Sequence, residues 1–336
     1  MKGPNIFSYA TSELSQDAMI AWLAAWADPG FAKIDYALHS CGINLLEAFY
    51  KKKELILPKI NSLEVKTQYK KIDVLVIINK SDYIIVEDKT NSKEHGTQLS
   101  TYKDEILKLN NVKNIIPIYF KTFEQSCLKE VKNSGYRIFN RGDFLSILQK
   151  CKDDGCSNST LLDYLTHLKS LDDRITAYQK TPITSWKNTG ASWQGLFKAL
   201  QTEMGMGNWG YVPNPSGGFM GFWFSGKDIF LDGSKARSYI QLAEDKLLFK
   251  IAVKEKSLQK KLRNAWHKAI ISFGNSNGFD EFQKPRFRSG RDMTVADGGE
   301  WIICHNDGIV DIPSTVAKLK SIMEFHEILS GQWENC

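Results

Sequence analysis

The sequence predicts an α/β core, a mixed central sheet flanked by helices, followed by a second domain of α+β type. Three observations lead there: a helix–three strands–helix–strand–helix–strand order of hydrophobic periodicities in the first half, a polar stretch after residue 150, and short strand-like runs between helices beyond it. With 336 residues, 42% of them hydrophobic, the chain is long enough to bury two cores.

In residues 12–27, Leu14, Ala18, Ile20, Trp22, Ala25 and Trp26 fall at the spacing of a largely buried helix, with Thr11 and Ser12 as its expected caps. A second helix is expected over 36–52. The period then changes. Residues 63–69 alternate, 71–79 form an apolar run broken only by Asp73, and 82–90 repeat that form. The turn formers Asn79, Lys80, Ser81 and Asp82 fold the second and third strands into a tight antiparallel hairpin. A helix at 96–109, a strand at 115–120, a helix at 123–132, a strand at 136–139 and a helix at 143–150 complete a core assigned to residues 1–150. Residues 151–182 read as a helical connector that ends at the break around Pro182.

The second domain, 183–336, opens with a helix at 192–204 and Gly-rich turns over 208–218. Strand-like runs follow at 219–224, 229–231, 237–243 and 247–253. A basic helix at 257–273, strands at 282–288, 293–296 and 301–305, and a last helix at 314–329 complete it.

The net charge of +6 is compatible with a nucleic-acid partner without requiring one. Cys41, Cys127, Cys151, Cys156, Cys304 and Cys336 are scattered, with no CxxC pair and no zinc spacing, which suits reduced thiols in a cytoplasmic protein. The apolar stretch 18–27 is too short to cross a bilayer and is flanked by Asp17 and Asp28, so neither export nor membrane insertion is expected.

Asp73 interrupts Ile72, Val74, Leu75, Val76, Ile77 and Ile78, a run apolar on both faces as in a central strand. Glu87 and Lys89 end the next apolar run and, two residues apart, share one face of their strand. Folding the hairpin at Lys80 and Ser81 sets Asp73 opposite Glu87 or within one residue of it. Two carboxylates so placed repel unless a cation lies between them. Oxygen ligands on rigid strands suit Mg²⁺, with Mn²⁺ as a substitute, and both ions accept phosphate oxygens, which points to phosphodiester chemistry. The plainer alternative is a pair of strand-edge acids with Lys89 neutralising one of them. Asp88 faces the other side of the sheet, where it is expected to be solvated or paired.

This pattern resembles the PD-(D/E)XK nuclease superfamily, with Asp73 followed by the triplet Glu87-Asp88-Lys89. Glu13 stands on the first helix, where many members carry another acid, and Gln98 to Tyr102 reads as QxxxY, which is similar to the RecB-like branch. Ile72 stands where the family name has Pro. The resemblance covers roughly residues 8–150 and implies a restriction-endonuclease-like core and a Mg²⁺-dependent nuclease. It implies that Asp73, Glu87, the Asp88 carbonyl and Glu13 hold the metal and that Lys89 orients or helps deprotonate the attacking water. Gln98 would position the lysine or the metal-bound water, and Tyr102 the scissile strand. A polar helix face for Gln98 and Tyr102, and a first-turn acid favoured by the helix dipole for Glu13, are the structural alternatives.

The expected substrate is DNA ahead of RNA, in a setting such as restriction, phage defence or repair. A homo-oligomer or a protein regulator is compatible with this. The rival is a catalytically silent module that binds nucleic acid or protein. In the second domain, Lys254, Lys256, Lys260, Lys261, Arg263 and Lys268, with Arg286, Arg288 and Arg291 around Phe287, read either as a phosphate-gripping surface or as a solvated helix face over the buried stripe Leu258, Leu262, Trp266 and Ile270. Gly205 to Gly210 lack the GK[ST] ending of a phosphate loop.

Overall fold

The apolar run around Asp73 lies in the middle of a sheet. In the computed structural model, which describes residues 4–10, 12–94, 98–186, 190–214, 217–231 and 233–333, the chain divides into two compact units, Met1–Asp173 and Arg174–Cys336.

The first unit runs α1 (Glu13–Ala25), α2 (Tyr36–Lys52), β1 (Leu63–Tyr69), β2 (Ile72–Ile78), β3 (Asp82–Lys89), α3 (Gln98–Leu107), β4 (Asn114–Lys121), α4 (Lys129–Asn133), β5 (Arg137–Asn140), α5 (Arg141–Asp153) and α6 (Ser159–Ile175). Its sheet has the order β1-β2-β3-β4-β5. The β1–β2 and β2–β3 pairs are antiparallel; β3–β4 and β4–β5 are parallel. Asn79 and Lys80 sit at φ 52° and 57°, both left-handed, and the Ser81 N–H closes the turn on the Ile78 carbonyl at 3.1 Å; Ile78 pairs with Asp82 across the three-residue loop. Asn79 also accepts the backbone N–H groups of Asn61 and Ser62 at 2.8 and 3.2 Å, which ties the approach to β1 onto this turn.

Every residue of β3 is buried. On one face Phe49 of α2, Phe120, Phe139, Phe144 of α5 and Tyr164 of α6 form an aromatic chain. On the other, Leu99, Tyr102 and Ile106 of α3 pack on Leu75, Ile85 and Tyr119. Pro117 is tolerated in β4 because pairing with β5 begins only at Ile118.

The predicted connector does not stand apart. Tyr164 of α6 packs on Phe7 and Phe144, and Asp172 binds Arg141 at 2.8 Å, so the division falls near the end of α6 rather than at Pro182. The helix expected over 123–132 is only Lys129–Asn133. Polar groups organise the preceding residues instead: Arg141 donates to the Thr122 carbonyl at 2.5 Å and Gln125 to that of Cys127 at 2.7 Å. Thr11 and the expected helix start at 96–97 lie outside the described residues, as does Cys336; the five described cysteines are free thiols.

The second unit contains α7 (Gly190–Met204), β6 (Asn208–Val212), β7 (Phe219–Leu231), β8 (Ser234–Ala243), β9 (Lys246–Ala252), α8 (Gln259–Ser276), β10 (Asp292–Asp297) and α9 (Ile312–Gly331). All its strand pairs are antiparallel, in the order β10-β9-β8-β7-β6. The helices share a core with one face of this sheet through Phe197, Phe222, Phe249, Trp266 and Phe325.

Part of the Gly-rich stretch read as turns is the edge strand β6. The runs 219–224 and 229–231 are one strand with a bulge between Phe224 and Lys227. Residues 282–288 and 301–305 make only single bridges, Gln283 with Asp297 and Cys304 with Val310. In the first of these segments Phe287 turns toward α8, where Arg263 lies 4.2 Å from its ring centroid. No described helix is long and apolar enough to cross a membrane.

In this second core His326 is fully buried, its ring nitrogens 2.9 Å from Ser225 Oγ and 2.7 Å from Ser238 Oγ. Burial pushes its pKa down to about 4, helped by the charge of Lys227. The unfolded chain therefore binds this proton below its ordinary value of 6.5 while the folded chain does not, so stability falls as pH drops from 6.5 to 4 and levels off below. The expected loss is roughly 3 kcal/mol. Urea titrations across that window should give a shallower pH slope for His326→Gln than for the parent; equal slopes would contradict this.

Candidate active site

Lys89 and Glu87 project from the same face of β3, and the hairpin register fixes what stands across from them. Val74 pairs with Val86, so Asp73 is next in line opposite Glu87. Lys89 Nζ lies 2.5 Å from Glu87 Oε1 and 3.8 Å from Asp73 Oδ2, and it donates to the Asp88 carbonyl at 2.9 Å. Asp73 Oδ2 accepts the Asp88 backbone N–H at 2.9 Å. The two acids and the lysine predicted from spacing therefore meet around one point.

Glu87 is fully buried, and neither of its carboxylate oxygens accepts a well-aligned hydrogen bond from the protein. Its short contact with Lys89 is an ion pair without hydrogen-bond alignment. Burial raises its pKa to about 7, the charge of Asp73 adds to this, and Lys89 offsets part of it. Leaving a buried carboxylate so poorly satisfied is costly. For Lys89, burial favours the neutral amine, but Glu87 and Asp73 outweigh it and raise the pKa.

On α3, Gln98 donates to the Tyr102 hydroxyl at 2.7 Å, as residues four apart on a helix can. Tyr102 is buried against the acid-bearing face; burial raises its pKa, the Gln98 hydrogen bond lowers it, and the charges of Glu87 and Asp73 raise it further.

Glu13 is placed differently from a freely offered ligand. Its Oε1 accepts from Thr90 N at 2.9 Å, Thr90 Oγ1 at 3.2 Å and Ser92 Oγ at 2.6 Å. Burial would raise its pKa, but these bonds and the charge of Lys89 hold it below the usual range. Lys121, paired with Lys89 across β3 and β4, grips the same segment through the Thr90 and Ser92 carbonyls at 2.6 Å each. Burial pulls its pKa down to about 8. Glu13 and Lys121 thus clamp the segment that leaves β3.

Asp88 faces the helix side as expected, and it is paired rather than solvated. It is buried and accepts a short hydrogen bond from Gln16, and it lies within electrostatic reach of Asp17; Asp17 Oδ1 and Asp88 Oδ2 are buried without a hydrogen-bond partner. Burial raises Asp17 to about 7, as does the charge of Asp73, while Asp88 is raised well above its ordinary value.

Three residues were not legible as parts of the site. Gln68 sits at φ 53° where β1 skips a pair, and its amide reaches Asp17 Oδ2 at 3.2 Å and Asp73 Oδ1 at 3.4 Å. Asp17 was signalled only by standing four residues after Glu13 on the same face of an otherwise apolar helix. The Tyr136 hydroxyl is buried with no hydrogen-bond partner, within the electrostatic reach of Glu87, Tyr102 and Asp73.

Among the described residues no three His, Cys, Asp or Glu side chains form a ready-made metal cage. What the hairpin offers is two carboxylates, Asp73 and Glu87, plus the Asp88 carbonyl. These are hard oxygen donors, and two of the oxygens are buried and short of partners. Such a sparse oxygen set fits Mg²⁺ or Mn²⁺, which retain several waters, better than a fully protein-ligated ion.

A family described as the PD-(D/E)XK nuclease superfamily matches residues 4–189, more than half of the chain and every residue of this site. No curated protein and no solved structure matches the chain.

If the carboxylates take a divalent cation, Mn²⁺ at one hundred times its Kd should stabilise the fold by about 2.7 kcal/mol. Thermal unfolding with and without Mn²⁺ is expected to show that gain in the parent and to lose it in Asp73→Asn and Glu87→Gln. An equal gain in all three would contradict this placement.

Proposed function

The chain belongs to the PD-(D/E)XK nuclease superfamily, and from that membership we propose a nuclease that depends on Mg²⁺, or Mn²⁺ in its place, and cleaves DNA in preference to RNA. The observation that carries the reading is Lys89 lying between Glu87 and Asp73 on a buried hairpin. Asp73, Glu87 and the Asp88 carbonyl would hold the cation. When bound, it lowers the pKa of a water and stabilises negative charge on the phosphoryl oxygens.

Lys89 stands where it donates to the attacking water or to a nonbridging phosphoryl oxygen. Its stem is fixed by burial, so the ammonium needs little reorganisation as charge develops. Gln98 and Tyr102, bonded to each other, present one amide and one phenol from α3 to orient the water or the scissile strand. Glu13 acts through the clamped segment after Lys89, keeping that lysine's backbone in place. Restriction, phage defence or repair are settings in which such a cut serves.

The test is cleavage of circular and linear DNA, single- and double-stranded, and of RNA, with Mg²⁺, Mn²⁺ or EDTA. Metal-dependent cutting is expected, reduced by at least about a hundredfold in Asp73→Ala and Lys89→Ala, the scale of losing one preorganised electrostatic group. Gln98→Ala and Tyr102→Phe should fall less, by roughly tenfold, about 1.4 kcal/mol. Failure to cut any of these substrates, with no Mn²⁺ binding that depends on Asp73, would contradict the proposal and favour a silent binding module.

A further inference from the structure

The helices of the second unit cover one face of its sheet. On β8, Ala236, Ser238, Ile240 and Leu242 are buried, and the alternate residues Arg237, Tyr239 and Gln241 point to the other face. Three cavities lie on that face. One of about 690 Å³ and one of about 510 Å³ are both lined by Gln241 and Asp292, and a third of about 590 Å³ shares Arg237, Ala252 and Arg291 with the second. They form a continuous trough across the strands.

Aromatic rings, Trp223 with Phe219 and Tyr239, and a set of arginines line the trough. Gly210 and Gly221 pair across β6 and β7. A Cβ added to Gly221 would stand 3.2 Å from Trp223 Cζ3, and one on Gly210 3.8 Å from Cη2, so the indole reclines over the paired glycines and leaves its outer side to the trough. A Cβ on Gly226 would meet Arg237 Nη2 at 2.6 Å, so that glycine clears the way for the guanidinium. Phe287 is anchored against Arg263 and His267, while its exposed neighbours Arg286 and Arg288 line the largest cavity.

Six acids line the cavities beside eight lysines and arginines, and five of the acids, Asp228, Glu244, Glu255, Asp292 and Asp297, hold an ion pair or accept a hydrogen bond. Asp228 binds Lys235 at 2.8 Å, Asp292 accepts from Tyr239 at 3.2 Å, and Glu244 and Asp297 accept the main-chain N–H groups of Met220 and Gly299 at 3.2 and 3.0 Å. Among the described residues Arg286, Arg288 and Arg291 have no ion pair. Arg291 lines the same cavity as the reclining indole, and Arg286 and Arg288 line the adjoining one; guanidinium groups along a trough that also holds an aromatic ring are the chemistry that grips a phosphate chain while stacking an unpaired base.

We propose that the open face of the second sheet binds single-stranded nucleic acid, with Trp223 as the stacking platform and Arg286, Arg288 and Arg291 as phosphate contacts. This names the substrate form and rests on the nuclease reading. The trough accepts unstacked bases, and a duplex keeps its bases from the indole.

The test is fluorescence anisotropy of a labelled oligothymidylate with the full chain in EDTA, which prevents cutting. Trp223→Ala should weaken binding roughly tenfold and Trp223→Phe much less. Arg286→Ala/Arg288→Ala/Arg291→Ala, all at exposed or half-buried positions, should weaken it and flatten the slope of log Kd against log salt by about two. Unchanged affinity in both the Trp223→Ala and the triple arginine variants, or a duplex equally sensitive to them, would overturn the proposal. Cleavage is scored separately on the parent chain. Cutting with no role for Trp223 or the arginines overturns this surface alone, whereas Trp223-dependent binding without any cutting supports the surface and overturns the nuclease reading.

Discussion

The ion pair between Lys89 and Glu87, with Asp73 close by, is the interaction on which the first unit depends. Taking three charges out of water costs several kcal/mol per ion before any attraction is recovered. A buried carboxylate that accepts no hydrogen bond at either oxygen and has only an ion pair to Lys89 is poor material for stability alone. The surrounding structure holds that arrangement in place: an all-buried strand, a left-handed hairpin turn that sets the register, and a Glu13–Lys121 clamp on the segment that follows. Hydrophobic packing on both faces of the sheet keeps the charges close, and the charges give that packing a chemical use.

The parts legible in the sequence are those set by local periodicity. Asp73 stood out because it breaks an apolar run, Glu87 and Lys89 because they end one, and the segment 79–82 because it places four polar residues, Asn79 among them, between two apolar runs. α2 forms over the residues 36–52 expected for it, and the structure adds its cap, Asp35, whose side chain accepts the Leu38 N–H. What was not legible depends on tertiary approach. Gln68 enters the site only because β1 skips a pair, Tyr136 only because β5 runs parallel to β4, and Asp17 comes within electrostatic reach of Asp88 only because α1 packs on β3.

In the second unit the basic residues were visible but their aromatic partner was not. Phe287, which lies between two arginines in sequence, is the anchor of its segment, and the half-buried ring that lines the trough is Trp223, more than sixty residues earlier and flanked by glycines on its own and the neighbouring strand. On α8 the solvated-face reading holds for the stripe, since Leu262, Trp266 and Ile270 are fully buried. The segment 208–212 was misread because Gly207 and Gly210 weaken the strand signal; Gly207 takes φ 95°, and Gly210 leaves room for an indole.

The family match ends near the start of the second unit; the paired carboxylates belong to the first unit and the arginine-lined trough to the second. The most direct measurement of the central claim is anomalous scattering from crystals soaked in Mn²⁺. The expected result is a peak bounded by the carboxylates of Asp73 and Glu87 and the carbonyl of Asp88, absent from Asp73→Asn crystals. No peak at the hairpin in the parent, or one that persists in the variant, would contradict the assignment of these residues as the metal centre of a nuclease.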